Sequence, residues 1–246
     1  MALQPEQIVK RILPGATIAW YRRVRLTARA RHLARRLADT SNPEEWWTWL
    51  NRFRQFRPIQ KRGELIRLLD VVVLKAAHHI GEIGTASGGT LCALARAARP
   101  DANLITVDLD LTPERQAAFS SFTRGSQKII CLTGNSHDDH VVQQFAALLN
   151  GARLDVLLID GDHSYEGVCR DWAMYAPLVR EGGLIVLHDI IQDHGQRYGI
   201  ATTAYTGGVP RFWAELKARY SDVEEIIEDS NQDGCGLGIV RWMAAG

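Results

Sequence analysis

The sequence predicts an α/β domain in which seven strands form a mainly parallel sheet with helices on both faces, entered through a helical N-terminal extension. Two observations carry this. From residue 63 onward, apolar runs of strand length alternate with longer amphipathic stretches, the pattern of strand, crossover helix and parallel strand. The run Leu154-Asp-Val-Leu-Leu-Ile159 is apolar on both faces, as a strand buried between two helical layers must be. Composition agrees: of 246 residues 46% are hydrophobic and 23% charged, which excludes a disordered chain, a collagen or a coiled coil as the main architecture.

Residues 1–38 come first and hold nine Lys/Arg against one acid, Glu6. The whole chain has a net charge of +1, so the body is mildly acidic and no global field draws it to nucleic acid. Ile8, Ile12, Trp20, Tyr21, Val24, Leu33 and Leu37 are interleaved with the cations, with a break at Pro14-Gly15. This admits either an amphipathic helix in peripheral contact with anionic lipid or an arm that packs on a second copy in a homo-oligomer. Asn42-Pro-Glu-Glu45 next supplies an N-cap, a proline at the first helical position and an acid in the first turn. Trp46, Trp49, Leu50 and Phe53 follow at helical spacing, an aromatic face that packs into a core or lines a substrate site. Residues 1–60 are assigned to this extension and 61–246 to the main domain.

Strands are expected at residues 78–83, 103–108, 127–132, 154–159, 183–188, 222–228 and 236–242, each a short apolar run bounded by turn residues. Helices at 63–76, 88–98, 113–123, 137–149, 166–179 and 210–219 fill the gaps. The stretch after Asp189 is rich in glycine and lacks periodicity, so it reads as a substrate-facing loop that re-enters a helix at Val209. Cys92, Cys131, Cys169 and Cys235 are widely spaced and form no C-x-x-C, as reduced thiols of a cytoplasmic protein would be. Neither a membrane span nor a signal peptide is legible.

Two constellations carry chemistry. In Gly81-Glu-Ile-Gly-Thr-Ala-Ser-Gly-Gly-Thr90 the first strand passes into a helix through glycines, which let a backbone approach a ligand closely, and the helix start offers unpaired N–H groups. The spacing is not the G-x-G-x-x-G of dinucleotide sites, because position 86 is alanine. The second strand ends in Asp108, placed to accept both ribose hydroxyls of a nucleoside. The second constellation is Ile159-Asp-Gly-Asp-His-Ser-Tyr-Glu166 with His188-Asp189 at the next strand end. Neighbouring strands lie about 4.8 Å apart, so Asp160, His188 and Asp189 can converge on a divalent cation. His163, with an ordinary pKa near working pH, is the candidate general base.

Residues 63–242, with Glu82-Ile-Gly84 and Gly88-Gly89, resemble a class I S-adenosylmethionine-dependent methyltransferase. The run from Ile159 to Trp172, the Gly182-Gly183 turn and the segment ending His188-Asp189 resemble the branch of metal-dependent sugar and antibiotic O-methyltransferases and cephalosporin hydroxylase-like proteins. The resemblance implies a Rossmann-like sheet with an antiparallel last strand. It implies that the loop from Glu82 and Gly84 through Thr85, Ser87 and Gly88 contacts the methionine moiety, Asp108 the ribose, and Gly134-Asn135-Ser136 the adenine. Asp160 is expected to border the cofactor as well. It further implies Mg or Mn on Asp160, His188 and Asp189, with His163 and Asp160 as catalytic groups. Two positions depart from the family: Asn135 stands where an acid is usual, and His188 where an acidic ligand is frequent.

The expected reaction is methyl transfer to a hydroxyl of a small molecule, a sugar or glycolipid being preferred over a phenol. Two other readings stand beside it. Asp160, His163, His188 and Asp189 contain the two-His, one-carboxylate set of a non-haem iron oxygenase, and a non-catalytic cofactor-binding subunit would keep the same fold. Nucleic-acid methylation is not expected, since no Asn-Pro-Pro-Tyr-like motif is present.

Overall fold

The computed structural model describes residues 15–243, with the side chains of residues 15–19, 21 and 22 excepted. The expectations for Ile8, Ile12, the Pro14 break and the Tyr21 side chain lie outside the described residues. In order, the chain forms α1 (Gly15–Ala38), α2 (Pro43–Asn51), α3 (Arg62–Leu74), β1 (His79–Ile83), α4 (Gly89–Ala97), β2 (Asn103–Asp108), α5 (Pro113–Phe119) and β3 (Lys128–Thr133). It continues with α6 (Asp139–Leu148), β4 (Leu154–Ile159), α7 (Tyr165–Tyr175), β5 (Val179–His188), α8 (His194–Tyr198), α9 (Val209–Arg219), β6 (Val223–Ile226) and β7 (Leu237–Arg241).

The sheet order is β3-β2-β1-β4-β5-β7-β6. Strands β1 to β5 are mutually parallel, and β7 runs antiparallel between β5 and β6. The order reverses between β1 and β4, and in open α/β sheets that reversal leaves a crevice beyond the strand ends. Each strand expected from sequence is present. β5 starts earlier than expected, at Val179, because Gly182 (φ +71°) lets the chain bulge between the pairs Leu154/Val179 and Val156/Leu184.

Period-two alternation splits the core into two layers. Val156, Leu158, Leu184 and Val186 face the helices at the start of the chain, while Leu157, Ile159, Ile185 and Leu187 face α6, α7 and α9. The extension is built into the first layer. Ala30, Leu33 and Leu37 of α1 and Trp46 and Leu50 of α2 are buried with Leu65, Leu69 and Leu91. Asn42 caps α2 by accepting from the Glu44 amide at 3.0 Å, and Trp49 lies between the guanidinium groups of Arg36 and Arg52. The aromatic face therefore packs and does not line a substrate site. Burial of Leu33 and Leu37 also removes them from any lipid-facing stripe, leaving Trp20 and Val24 as its exposed apolar residues. Among the described residues no helix is long and apolar enough to cross a membrane.

Candidate active site

The crevice at the β1/β4 reversal is a cleft of about 480 Å³, within the roughly 300–1,000 Å³ of small-molecule sites. It extends from Asp108 and Leu109 after β2, past Gly134, Asn135, Ser136 and His137 after β3, to Asp160, Gly161, Asp162 and His163 after β4 and Asp189 after β5. Ile59 forms part of its wall. Of the residues expected at a cofactor, Gly84, Asp108, Gly134, Asn135, Ser136 and Asp160 line this cleft.

Glu82, Thr85, Ser87 and Gly88 do not. Glu82 is wholly buried beneath the cleft, where its Oε2 accepts from Thr106 Oγ1 at 2.7 Å, and Thr106 in turn meets Thr85 Oγ1 at 2.5 Å. Burial pushes the Glu82 carboxyl up to about 8, so at neutral pH it is a neutral acid within a hydroxyl chain. The glycine pair serves the fold. A Cβ on Gly89 would come within 2.6 Å of Phe56 O and Pro58 N, so residues 56–60 lie directly on the start of α4. Ser87 Oγ donates to Arg57 O, and Gln60 joins Thr90 to Asp160, donating to Asp160 Oδ2 at 3.0 Å. This strap covers the helix start that the sequence reading offered to a ligand.

Asp108 is likewise engaged. Its Oδ2 accepts from the Thr85 and Ala86 amides at 2.8 and 2.9 Å, and its Oδ1 from the Asp110 amide at 2.9 Å. A carboxylate offers about four lone-pair positions. One therefore remains, enough for a single ribose hydroxyl and not for the two that were expected.

Two carboxylates and two imidazoles meet beyond β4 and β5. His163 places Nε2 3.4 Å from Asp160 Oδ1 and Nδ1 3.4 Å from Asp189 Oδ2, and its Nδ1 donates to Tyr205 O at 2.8 Å. The loop after Asp189 holds it there: the Gly208 amide donates to His163 O, and Gly207 (φ +55°) sits where a Cβ would strike that carbonyl. The hydrogen bond to Asp160, opposed by burial, raises the His163 pKa to about 9. The base expected to titrate near neutrality is thus protonated at pH 7, because two carboxylates face it. Against its own burial, Asp160 is held down to about 2 by the charge of His188 and by its hydrogen bonds to both histidines. Burial raises Asp189, whose left-handed backbone (φ +61°) is anchored by the Cys235 amide on Oδ1.

The donor set fits a divalent cation, since ligand atoms of Asp160, His163 and Asp189 lie within 4.8 Å of one another. The sequence reading placed His188 in that set instead of His163. In the structure the His188 side chain is fully buried behind the carboxylates, with Nδ1 3.1 Å from Asp160 Oδ1 and Nε2 turned toward Glu64 at 3.9 Å. It serves as a hydrogen-bond partner of Asp160, and the two histidines do not form the open face of an iron oxygenase. Sequence reasoning missed Gln60, His137, Asp162, Glu64 and Tyr205. Asp162 stood within the quoted run and His137 directly after Ser136, whereas nothing local to Gln60 signals a partner a hundred residues away.

Comparison with known proteins adds independent observations. Residues 82–190 match a family model described as a methyltransferase domain. An uncharacterized protein of Acanthamoeba polyphaga mimivirus is 32% identical over 112 residues, 44% of this chain, and the match spans about half (49%) of that protein. Among solved structures, an O-methyltransferase from Bacillus cereus in complex with S-adenosylhomocysteine (SAH) aligns over 89% of this chain and 100% of its own, with TM-score 0.56 and 17% identity. The O-methyltransferase TomG of Streptomyces achromogenes, involved in tomaymycin synthesis and solved with S-adenosylmethionine, covers 82% of this chain and 91% of its own (TM-score 0.54, 19% identity). The methyltransferase MycE of the mycinamycin biosynthetic pathway, solved with Mg and SAH, covers 82% of this chain and 55% of its own (TM-score 0.53, 15% identity). At these identities the three structures speak for the fold.

Proposed function

We propose that this chain, which carries a methyltransferase domain on the class I S-adenosylmethionine-dependent methyltransferase fold, transfers the sulfonium methyl group to a hydroxyl oxygen of a sugar or related natural-product acceptor. One observation carries the reading: a single cleft runs from the carboxylate of Asp108 to the Asp160, His163 and Asp189 cluster, so a nucleoside at one end brings its substituent to acid–base groups at the other. Two of the similar structures, TomG and MycE, belong to tomaymycin and mycinamycin synthesis, which supports a natural-product acceptor.

The cofactor brings an already activated methyl group, so the chain's own residues mainly align the acceptor and manage one proton. The acceptor oxygen gains the methyl as the sulfur–methyl bond breaks, and the hydroxyl proton passes to His163 Nε2. The Tyr205 carbonyl keeps the Nδ1 proton in place and leaves Nε2 as the basic atom. Nε2 shares its proton with Asp160, so it must lose that proton before it can act. A divalent cation held by Asp160 and Asp189 would supply the charge that displaces it, would lower the acceptor's pKa and would leave the Nε2 lone pair of His163 for the hydroxyl proton.

Calorimetry with SAH, followed by mass-spectrometric detection of methylated products from a panel of hydroxylated acceptors with and without Mg or Mn, tests this. SAH binding, turnover lost in chelator and turnover restored by the metal are expected. Absence of SAH binding, or tight binding of NAD instead, refutes the assignment.

A further inference from the structure

Behind the cleft carboxylates, three groups of different chemistry converge from three parts of the chain. Ligand atoms of Glu64 on α3, His188 at the end of β5 and Cys235 just before β7 lie within 4.8 Å of one another. None of the three is among the residues that line the cleft. His188 directs Nδ1 to Asp160 Oδ1 at 3.1 Å. Its Nε2 is buried and makes no hydrogen bond, with Glu64 Oε2 3.9 Å away and the Cys235 thiol beside the ring. Glu64 has no exposed surface; its Oε1 accepts from Gln232 Nε2 and the Gly236 amide, both at 2.9 Å, and its Oε2 from the Lys61 amide at 3.2 Å. Of the roughly four lone-pair positions of a carboxylate one is left, on the oxygen nearer His188. Cys235 stands in left-handed backbone (φ +60°) between two glycines of the same conformation, the turn that brings its thiol to the pair.

A carboxylate and an unpartnered ring nitrogen at this depth are both costly, and a dication offsets both. Thiolate, carboxylate and neutral imidazole carry two negative charges together, so the buried set is neutral once a dication joins it. The sulfur selects zinc over Mg or Mn, since zinc takes S, N and O donors together. Tetrahedral zinc spaces its N and O donors about 3.3–3.5 Å apart, close to the 3.9 Å between Nε2 and Oε2. The geometry points to a zinc site on Glu64, His188 and Cys235, separate from the cleft cation, with water reaching the fourth position past half-buried Cys235. Its role is to position. Zinc on Nε2 fixes the tautomer whose Nδ1–H is donated to Asp160, and a ligated Cys235 fixes the amide that donates to Asp189 Oδ1. Both cleft carboxylates are thereby tied to one ion that also joins α3 and the loop before β7 to the sheet. The inference does not depend on methyl transfer.

The test uses the full chain, dialysed against chelator under reducing conditions and then loaded with zinc or with cobalt(II), whose absorption reports its ligands. Zinc should bind in the presence of a large excess of Mg. Cobalt(II) should give the near-ultraviolet charge-transfer band of a thiolate ligand together with the strong visible bands of four-coordination. Cys235→Ser should abolish the near-ultraviolet band and weaken zinc by about tenfold or more, and Glu64→Gln should weaken zinc while keeping the band. His163→Ala, in the cleft, should leave the band and the zinc affinity unchanged. Where a variant does not melt cooperatively, the unaltered chain decides: zinc, and not Mg, should slow iodoacetamide alkylation of the Cys235 thiol by about tenfold or more, read by peptide mass spectrometry. Absence of the charge-transfer band, a band that survives Cys235→Ser, or alkylation of Cys235 at equal rates with and without zinc would each overturn the site.

Discussion

Asp108 has two tasks, and two substitutions separate them. It holds the glycine loop through three backbone amides, and it keeps one lone pair for a ligand. In Asp108→Ala all three amides lose their acceptor. Ala86 and Asp110 are exposed, so their N–H groups turn to water at little net loss. Thr85 is 4% exposed, and its stranded N–H costs about 1–3 kcal/mol. Release of Ala86, whose left-handed φ of +43° is held by the same carboxylate, makes about 2–3 kcal/mol a fair total. For a chain of this size that corresponds to a melting temperature lower by about 4–12 °C. Asp108→Asn behaves differently. Its carbonyl oxygen can still accept from Thr85 and Ala86, so stability falls by only about 1 kcal/mol, but the free lone pair becomes an N–H. SAH affinity should then drop by about 1–2 kcal/mol, roughly five- to thirtyfold. Thermal melting and SAH calorimetry on both variants give the four numbers. An alanine variant as stable as the parent would show that the carboxylate does not brace the loop, and an asparagine variant with full SAH affinity would remove it from the ribose.

Two further outcomes follow from the same region. Gly84→Ala should abolish cooperative folding, since its Cβ would lie 1.9 Å from the Asp160 carbonyl and the backbone there is left-handed (φ +87°); a normal circular-dichroism melt would contradict this packing. For Glu82, the folded pKa of about 8 stands above its ordinary value of about 4.5. Its stabilising contribution is therefore complete below about pH 4.5 and is lost as pH rises through 8, a fall of a few kcal/mol. Urea denaturation at pH 6 and pH 9 should show that fall in the parent and a flatter dependence in Glu82→Gln; identical slopes would mean that the carboxyl is not neutral in the folded chain.

Most of the architecture was legible because it depends on local patterns. The seven strands and the crossover helices follow from apolar periodicity, and the placement of Asp160 and Asp189 follows from adjacent parallel strand ends. The site was less legible where it depends on side-chain direction. His188, read as a cation ligand, lies buried behind the carboxylates while His163 faces the cleft beside them, and nothing in their spacing distinguishes a ring that faces a cleft from one buried behind it. Gly88 and Gly89 read as a ligand cradle, whereas the second makes room for another part of the chain. The aromatic helix illustrates the converse: spacing alone showed that Trp46 and Leu50 share a face, and only the fold showed that the face is core.

The strap at residues 56–60 has a bearing on what counts as a unit of this protein. Residues 82–190 carry the methyltransferase match, yet Asp160 takes a hydrogen bond from Gln60, and Asp189 takes one from the Cys235 amide. The reactive carboxylates thus depend on donors from before and after the matched region. Cutting the chain after residue 60, as if the first two helices were a detachable leader, would uncover Thr90, leave Asp160 short of a donor and strip the buried Leu33, Leu37, Trp46, Leu50 and Phe56 from the core layer over Leu65 and Leu91. Such a fragment should therefore lose foldedness together with activity, and the unit that folds extends well before residue 82, where the matched region begins.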